Sequence, residues 1–287
     1  MAAFKKGDRV RHPLKQDWGL GQILEDSIGP TVRIFFVGAG ERKLSLNHVT
    51  PVVVQGDAAQ DVRLDHLKIV RSDDGVVRYQ SVPRVMERFL ELYPGGFYGD
   101  RYLDVERNYK VKAHELAVDL LSSDELADLI QQEAYEEVCR RALRIANATN
   151  LIFPNEKMAL KDGLATSVAQ KQFALALNAL LHGVTSFEER FDAFCAILEE
   201  IGAAKWTIAT YYPFFVAPQA HMFIKPSATQ KAAELSAFEI NYRPQLNWLT
   251  YHSVLAFAEH LHEAIGPLKP RDMIDVQSFL WCIAPEI

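Results

Sequence analysis

The amino-acid sequence predicts a small all-β module at the N-terminus followed by a larger, irregular all-α domain. Three observations carry this. Apolar and polar residues alternate with period two through residues 31–36 and 43–46, the spacing of half-buried strands. Glycines punctuate the first forty residues, with Gly19 and Gly21 at a strand entry and Gly38 and Gly40 at a turn, where the chain must bend tightly. From about residue 82 onward the apolar residues recur at helical spacing instead,.

Val10 marks one strand, Ile23 and Leu24 a second, and Val32, Ile34 and Phe36 a third. Leu44 and Leu46 mark a fourth. Residues 27–30 and 38–40 supply turn chemistry,. So small a sheet buries little surface unless it curls on itself, so a five-stranded barrel of SH3 or Tudor type is the expected closure.

These residues also carry a resemblance. The stretch GDRVRHP, then WGLGQIL, then TVRIFFVGAGERKLSL resembles the Tudor-like module at the C-terminus of UvrD/PcrA-type DNA helicases. Gly7, Asp8, Val10, His12, Gly19, Gly21, Phe36, Gly40, Lys43 and Leu44 match that family's pattern. Trp18 stands where a Phe is usual, and residues 13–17 make the first loop slightly longer. The resemblance implies a module that contacts RNA polymerase or nucleic acid. It covers about a sixth of the chain. The helicase motor is missing: no G-x-x-x-x-G-K-[ST] loop occurs, so ATP hydrolysis is not expected.

Charge agrees with binding. Residues 1–53 hold eight Lys or Arg against five Asp or Glu, whereas the remainder holds 23 against 32. A polyanion would meet the barrel first. Arg9, Arg11, Arg33, Arg42 and Lys43, with Trp18, are therefore the candidate contacts to nucleic acid or a partner. The alternative is that they are only a barrel's solvated outer face.

The composition of 49% hydrophobic and 24% charged residues is that of an ordinary globular protein,. No apolar run of membrane-spanning length and no signal peptide are seen, so a cytoplasmic protein without membrane contact is expected. Cys139, Cys195 and Cys282 are far apart and are expected as buried thiols,.

Residues 1–53 are expected to form the barrel, 54–81 a linker, and 82–287 the helical domain. Turn chemistry occurs at residues 55–61 and at Ser72-Asp73-Asp74-Gly75, with Leu64, Leu67, Ile69 and Val70 between. Ser81 is expected to cap a first helix. One long helix is then expected over residues 100–121, with Ser123 capping the next. Others follow over residues 173–181, after Ser186, and over 248–265 and 272–281. Residues 221–225 read as a short strand. No fixed repeat period emerges. Fragments such as FLELYPGGFYGDRYL, HMFIKP and RDMIDVQSFLW resemble a helical region of uncharacterised bacterial proteins, and that likeness implies no activity.

Two clusters in the helical part invite a chemical reading. Residues 206–244 are dense in aromatics and prolines, and include His221, Lys225, Ser227 and Arg243. A helix start near Ser227 with Lys225 and Arg243 beside it would cradle an anion, and exposed rings would stack on bases. The alternative is an aromatic core with Ser227 a simple cap. Asp272 and Asp275 share a helix turn, as a metal pair would. They equally fit helix capping, the preferred reading.

The sequence thus points to a non-catalytic protein associated with nucleic acid or transcription, its barrel docking on DNA or on an RNA polymerase surface. No cofactor and no metal are expected. A DNA-processing or anti-phage defence enzyme with an unrecognised site in the helical domain is an alternative. A protein-interaction adaptor is another.

Overall fold

The structure, a computed structural model, describes residues 4–71 and 79–284. The expected turn at residues 72–75 lies outside them. Packing divides the chain into two compact units, residues 1–87 with 231–239 and residues 88–230 with 240–287.

The first unit is built on a five-stranded antiparallel sheet. Strands β1 (Arg9–Arg11), β2 (Leu20–Ile23), β3 (Thr31–Phe36), β4 (Gly40–Ser45) and β5 (Val52–Val53) run in the order β4-β3-β2-β1-β5. Register pairs Val10 with Gly21, Gly21 with Phe36, and Phe36 with Gly40. Gly21 is required there, because a Cβ would stand 2.6 Å from the Phe36 ring.

One face gathers Phe4, Val10, Ile23, Val32, Ile34 and Phe36, the apolar phase that the alternation predicts. The opposite face is also covered. Leu20 and Phe35 pack with Leu64, on the short helix α1 (Val62–Asp65), and with Leu67, Ile69, Tyr79 and Ala237. Residues 54–71 therefore form a layer on the sheet rather than the expected linker, and the unit extends past residue 53. Residues 231–239 join the same layer. Backbone Lys68 N donates to Ala237 O at 3.0 Å and Glu239 N to His66 O at 2.7 Å, while the His66 and Phe238 rings stack at 4.8 Å.

Helix α2 (Val82–Leu92) starts where Ser81 predicts. In the second unit the expected long helix is broken into α3 (Asp100–Tyr102), a π-helical turn over Leu103–Arg107, and α4 (Asn108–Leu120). Ser122, not Ser123, caps α5 (Ser123–Gln131), its hydroxyl accepting from Glu125 N. The next helices are α6 (Tyr135–Ala146), α7 (Pro154–Gly163), α8 (Ser167–His182), α9 (Phe187–Glu200), α10 (Trp206–Ala209) and α11 (Tyr211–Val216). Helices α12 (Pro226–Leu235), α13 (Trp248–Ala264) and α14 (Met273–Ile283) close the order.

Residues 221–225 form no strand. Met222, Phe223 and Ile224 are instead buried against the aromatic core. Tyr211, Tyr212, Phe214 and Phe215 are fully buried in that core. The rings expected as stacking platforms thus hold the helices together. Among the described residues no helix is long and apolar enough to cross a membrane.

Candidate nucleic-acid interface

The six residues singled out in the β module divide by what surrounds them. Arg9 is spoken for: its guanidinium donates to Gln22 and to Asp65 of α1. Arg33 is likewise committed. Its Nε donates to Glu41 Oε1 at 2.7 Å and its Nη1 to Glu25 at 3.3 Å. The Glu41 hydrogen bond holds the Arg33 pKa above its ordinary value. Neither side chain presents an unopposed charge. Arg33 reaches Glu41 across the β3–β4 pairing and Arg9 reaches Asp65 on α1, because a half-buried guanidinium needs acceptors,.

Arg11, Arg42 and Lys43 are exposed. Trp18 ends a 3-10 turn over Gln16–Trp18 and is half-buried, its ring 4.8 Å from His12 and 5.1 Å from Phe36. The Arg42 guanidinium lies 5.5 Å from the Trp18 ring centroid, within cation–π range. Its Nη1 donates to the Glu41 carbonyl at 2.8 Å.

Arg42 and Lys43 also line a recess of about 590 Å³ together with residues that the sequence alone did not single out. The lining runs from Gly38 to Lys43 and adds Arg71, Tyr79, Ser81 and Arg84. Among the described lining residues are thus four cations and one carboxylate, Glu41, which Arg33 and Arg71 bind. The recess wall is fixed from behind. The Tyr79 hydroxyl donates to Val37 O at 2.8 Å and accepts from Arg63 Nη1 at 2.8 Å. Its ring meets Phe35 edge-on at 5.0 Å. Gly40 sits at φ 69°, and a Cβ there would lie 2.8 Å from the Tyr79 ring. Only glycine meets both conditions.

This positive character is local. The first unit as a whole has fourteen Lys or Arg against thirteen Asp or Glu, because residues 54–87 and 231–239 bring more acid than base. The surplus near the recess comes from how side chains are placed rather than from net charge.

The four residues expected to cradle an anion have different surroundings. His221 lies 4.2 Å from the Phe187 ring and shares a 3.2 Å hydrogen bond with Tyr251. Burial, and secondarily Arg190, depress its pKa to about 4. It is neutral near pH 7 and adds no positive charge. The Lys225 ammonium sits between the Phe153 and Trp281 rings, at 4.6 and 4.9 Å. Arg243 is exposed, and its backbone carbonyl accepts from Trp206 Nε1 at 2.9 Å. Ser227 is exposed in the first turn of α12, which begins one residue earlier at Pro226.

Asp272 and Asp275 are held by hydrogen bonds from the protein itself. Asp272 caps α14, accepting from Ile274 N and Asp275 N. Arg107 forks onto Asp272, Nη1 to Oδ1 at 2.9 Å and Nη2 to Oδ2 at 2.7 Å, and also reaches Asp275 at 2.8 Å. Tyr102 and Arg271 complete the Asp275 shell. Burial opposes Asp275 ionisation, but these hydrogen bonds outweigh it and hold its pKa below the ordinary carboxylate value,. Lys110, fully buried on the next turn, donates to Gln277 at 2.7 Å, Ser278 at 2.8 Å and Glu106 at 3.1 Å. Arg107 ends the π-helical turn and Lys110 lies in the first turn of α4. Among the described residues no group of three or more His, Cys, Asp or Glu could hold a metal ion.

Searches of the curated proteins and of the solved structures find no match to the chain. Residues 4–54 match the model of a family described as a protein of unknown function (DUF3553), and this match covers the five strands.

Proposed function

We propose that the β module is a non-catalytic docking domain of SH3/Tudor type whose ligand is nucleic acid. The observation that carries this reading is the recess, whose described lining holds Arg42, Lys43, Arg71 and Arg84 and one already-paired carboxylate, Glu41. Exposed Arg11 and the Arg42–Trp18 pair extend the same chemistry. Clustered cations beside an aromatic ring suit a phosphate backbone and its bases. The resemblance to the Tudor-like module of UvrD/PcrA-type helicases supports the same reading, with an RNA polymerase surface as the other partner it implies.

In the helical unit the charges around α14 are paired, Arg107 with Asp272 and Asp275 and Lys110 with Glu106, whereas the buried Nε and Nη2 of Arg88 have no hydrogen-bond partner among the described residues. The absence of unpaired polar partners around Lys110, Arg107 and Asp275 favours a structural role,.

The test is titration of DNA against the full chain and an Arg42→Glu, Lys43→Glu variant. The expected outcome is a marked loss of affinity in the variant with an unchanged fold. Equal affinity in a folded variant would move the interface elsewhere. No DNA binding, with polymerase captured instead, would select the protein partner.

A further inference from the structure

We infer that the recess takes a terminal phosphate, the phosphomonoester dianion at the end of a nucleic-acid strand. This rests on the nucleic-acid reading above and names what that site recognises.

The shape of the site argues for an end. A strand lying across a protein presents internal diesters, each with one negative charge, and a flat basic face suffices to bind them. Here the cations line an open recess of about 590 Å³ rather than a flat face. A chain end enters such a recess more readily than the middle of a strand, which would have to kink in and out.

Charge argues the same way. A phosphomonoester carries about 1.5 to 2 negative charges at pH 7 and offers three strong acceptor oxygens. Among the described residues the recess lining offers four cations, three of them arginines, and one acidic side chain, Glu41. Arginine forks match phosphate oxygens, and the Lys43 ammonium adds a point charge. Ser81 also lines the recess, at the N-terminus of the eleven-residue helix α2. Its hydroxyl is a further donor.

The site is preorganised. Glu41 holds Arg71 at 2.6 Å, so one wall arginine is positioned before ligand arrives. Tyr79 is fixed by Val37, Arg63 and Phe35. Fixed donors lose little entropy on binding. Arg42 belongs both to the recess and to the Trp18 surface, so the nucleotides behind the terminal phosphate meet an aromatic ring.

The test uses fluorescence anisotropy with the full chain. The probes are one short single-stranded DNA with a 5′-phosphate, a 3′-phosphate or hydroxyls at both ends. The expected result is roughly tenfold tighter binding for one phosphorylated end, as one extra charge-assisted contact would give. That preference should vanish in Arg84→Ala, whose exposed side chain is dispensable for packing. Arg11→Ala, outside the recess lining, should weaken all three probes alike. Binding without preference for any phosphorylated end overturns this inference and leaves the nucleic-acid reading intact. A preference that survives Arg84→Ala and Arg71→Ala together also overturns it. If a nucleoside monophosphate competes as well as the phosphorylated strand, the ligand is a free nucleotide and the strand-end assignment fails. If no DNA binds at all, both readings fail.

Discussion

Glu41 holds Arg71 at 2.6 Å, joining two residues thirty positions apart. The same carboxylate accepts from Arg33 across the β3–β4 pairing. One acidic side chain therefore organises two arginines, of which one faces the recess. Glu41→Ala should remove the acceptor that the two guanidinium groups share. Its expected consequence is a less specific, more salt-sensitive interaction with polyanions, because the positive charge rises while preorganisation falls. Comparing affinities for ordered and scrambled polyanions at two salt concentrations checks this.

Gly40 is the second structural constraint on the recess. Its φ of 69° and the 2.8 Å approach to Tyr79 make Gly40→Ala costly by about 1–3 kcal/mol. Urea unfolding followed by the β-module signal should show the loss. A Gly40→Ala protein as stable as the parent would show that Tyr79 does not press on this turn.

Residues 54–71 and 231–239 cover Leu20 and Phe35. An isolated fragment of residues 1–53 would expose both side chains to water. The expected spectrum for that fragment is poorly dispersed, and Leu64→Asp in the full chain should destabilise the module for the same reason. A well-dispersed spectrum from residues 1–53 alone would show that the outer layer is dispensable.

Much of the first unit was legible in the sequence. Thr31–Phe36 announces itself by alternation, and Gly38 and Gly40 by turn chemistry. Phe35 was not legible. It sits on the polar phase of the strand, yet it is buried because Leu64 and Ala237 arrive from far along the chain. The same reason hid Arg71 and Arg84, which share the recess only once the outer layer has folded. The ion pairs of Arg9 and Arg33 were hidden too, because their partners Asp65, Glu25 and Glu41 are invisible until the strands and α1 have packed. In the helical unit, Asp272 was readable as a cap. Its second duty toward Arg107, 165 residues away, was not.

Arg107 neutralises Asp272 and Asp275 together. Arg107→Ala would leave Asp272 without its cation and Asp275 with Arg271 alone, and should cost about 3–5 kcal/mol. Asp275 adds a pH dependence. Its folded pKa lies below its ordinary value of 3.8, so its contribution is present above that value. It is lost as the pH falls through the lower, folded pKa. Thermal melts in strongly acidic buffer should therefore converge for parent and Asp275→Asn.

His221 makes a separate prediction. Its pKa falls from the ordinary 6.5 to about 4. Between those values the unfolded chain takes up a proton that the folded chain does not, so stability declines as the pH drops from 6.5 toward 4. NMR titration of the imidazole should give a midpoint near 4, and a midpoint near 6.5 would mean that the ring is not buried beside Phe187.

The most direct measurement is the salt dependence of single-stranded DNA binding by the full chain. Three to five phosphate contacts at the recess and Arg11 predict a slope of about −2 to −4 in log affinity against log salt, at roughly 0.7 per contact. Arg42→Glu, Lys43→Glu should flatten that slope by more than one unit. Binding that is absent at low salt, or a slope that the double variant leaves unchanged, would contradict the assignment of the β module as a nucleic-acid docking domain.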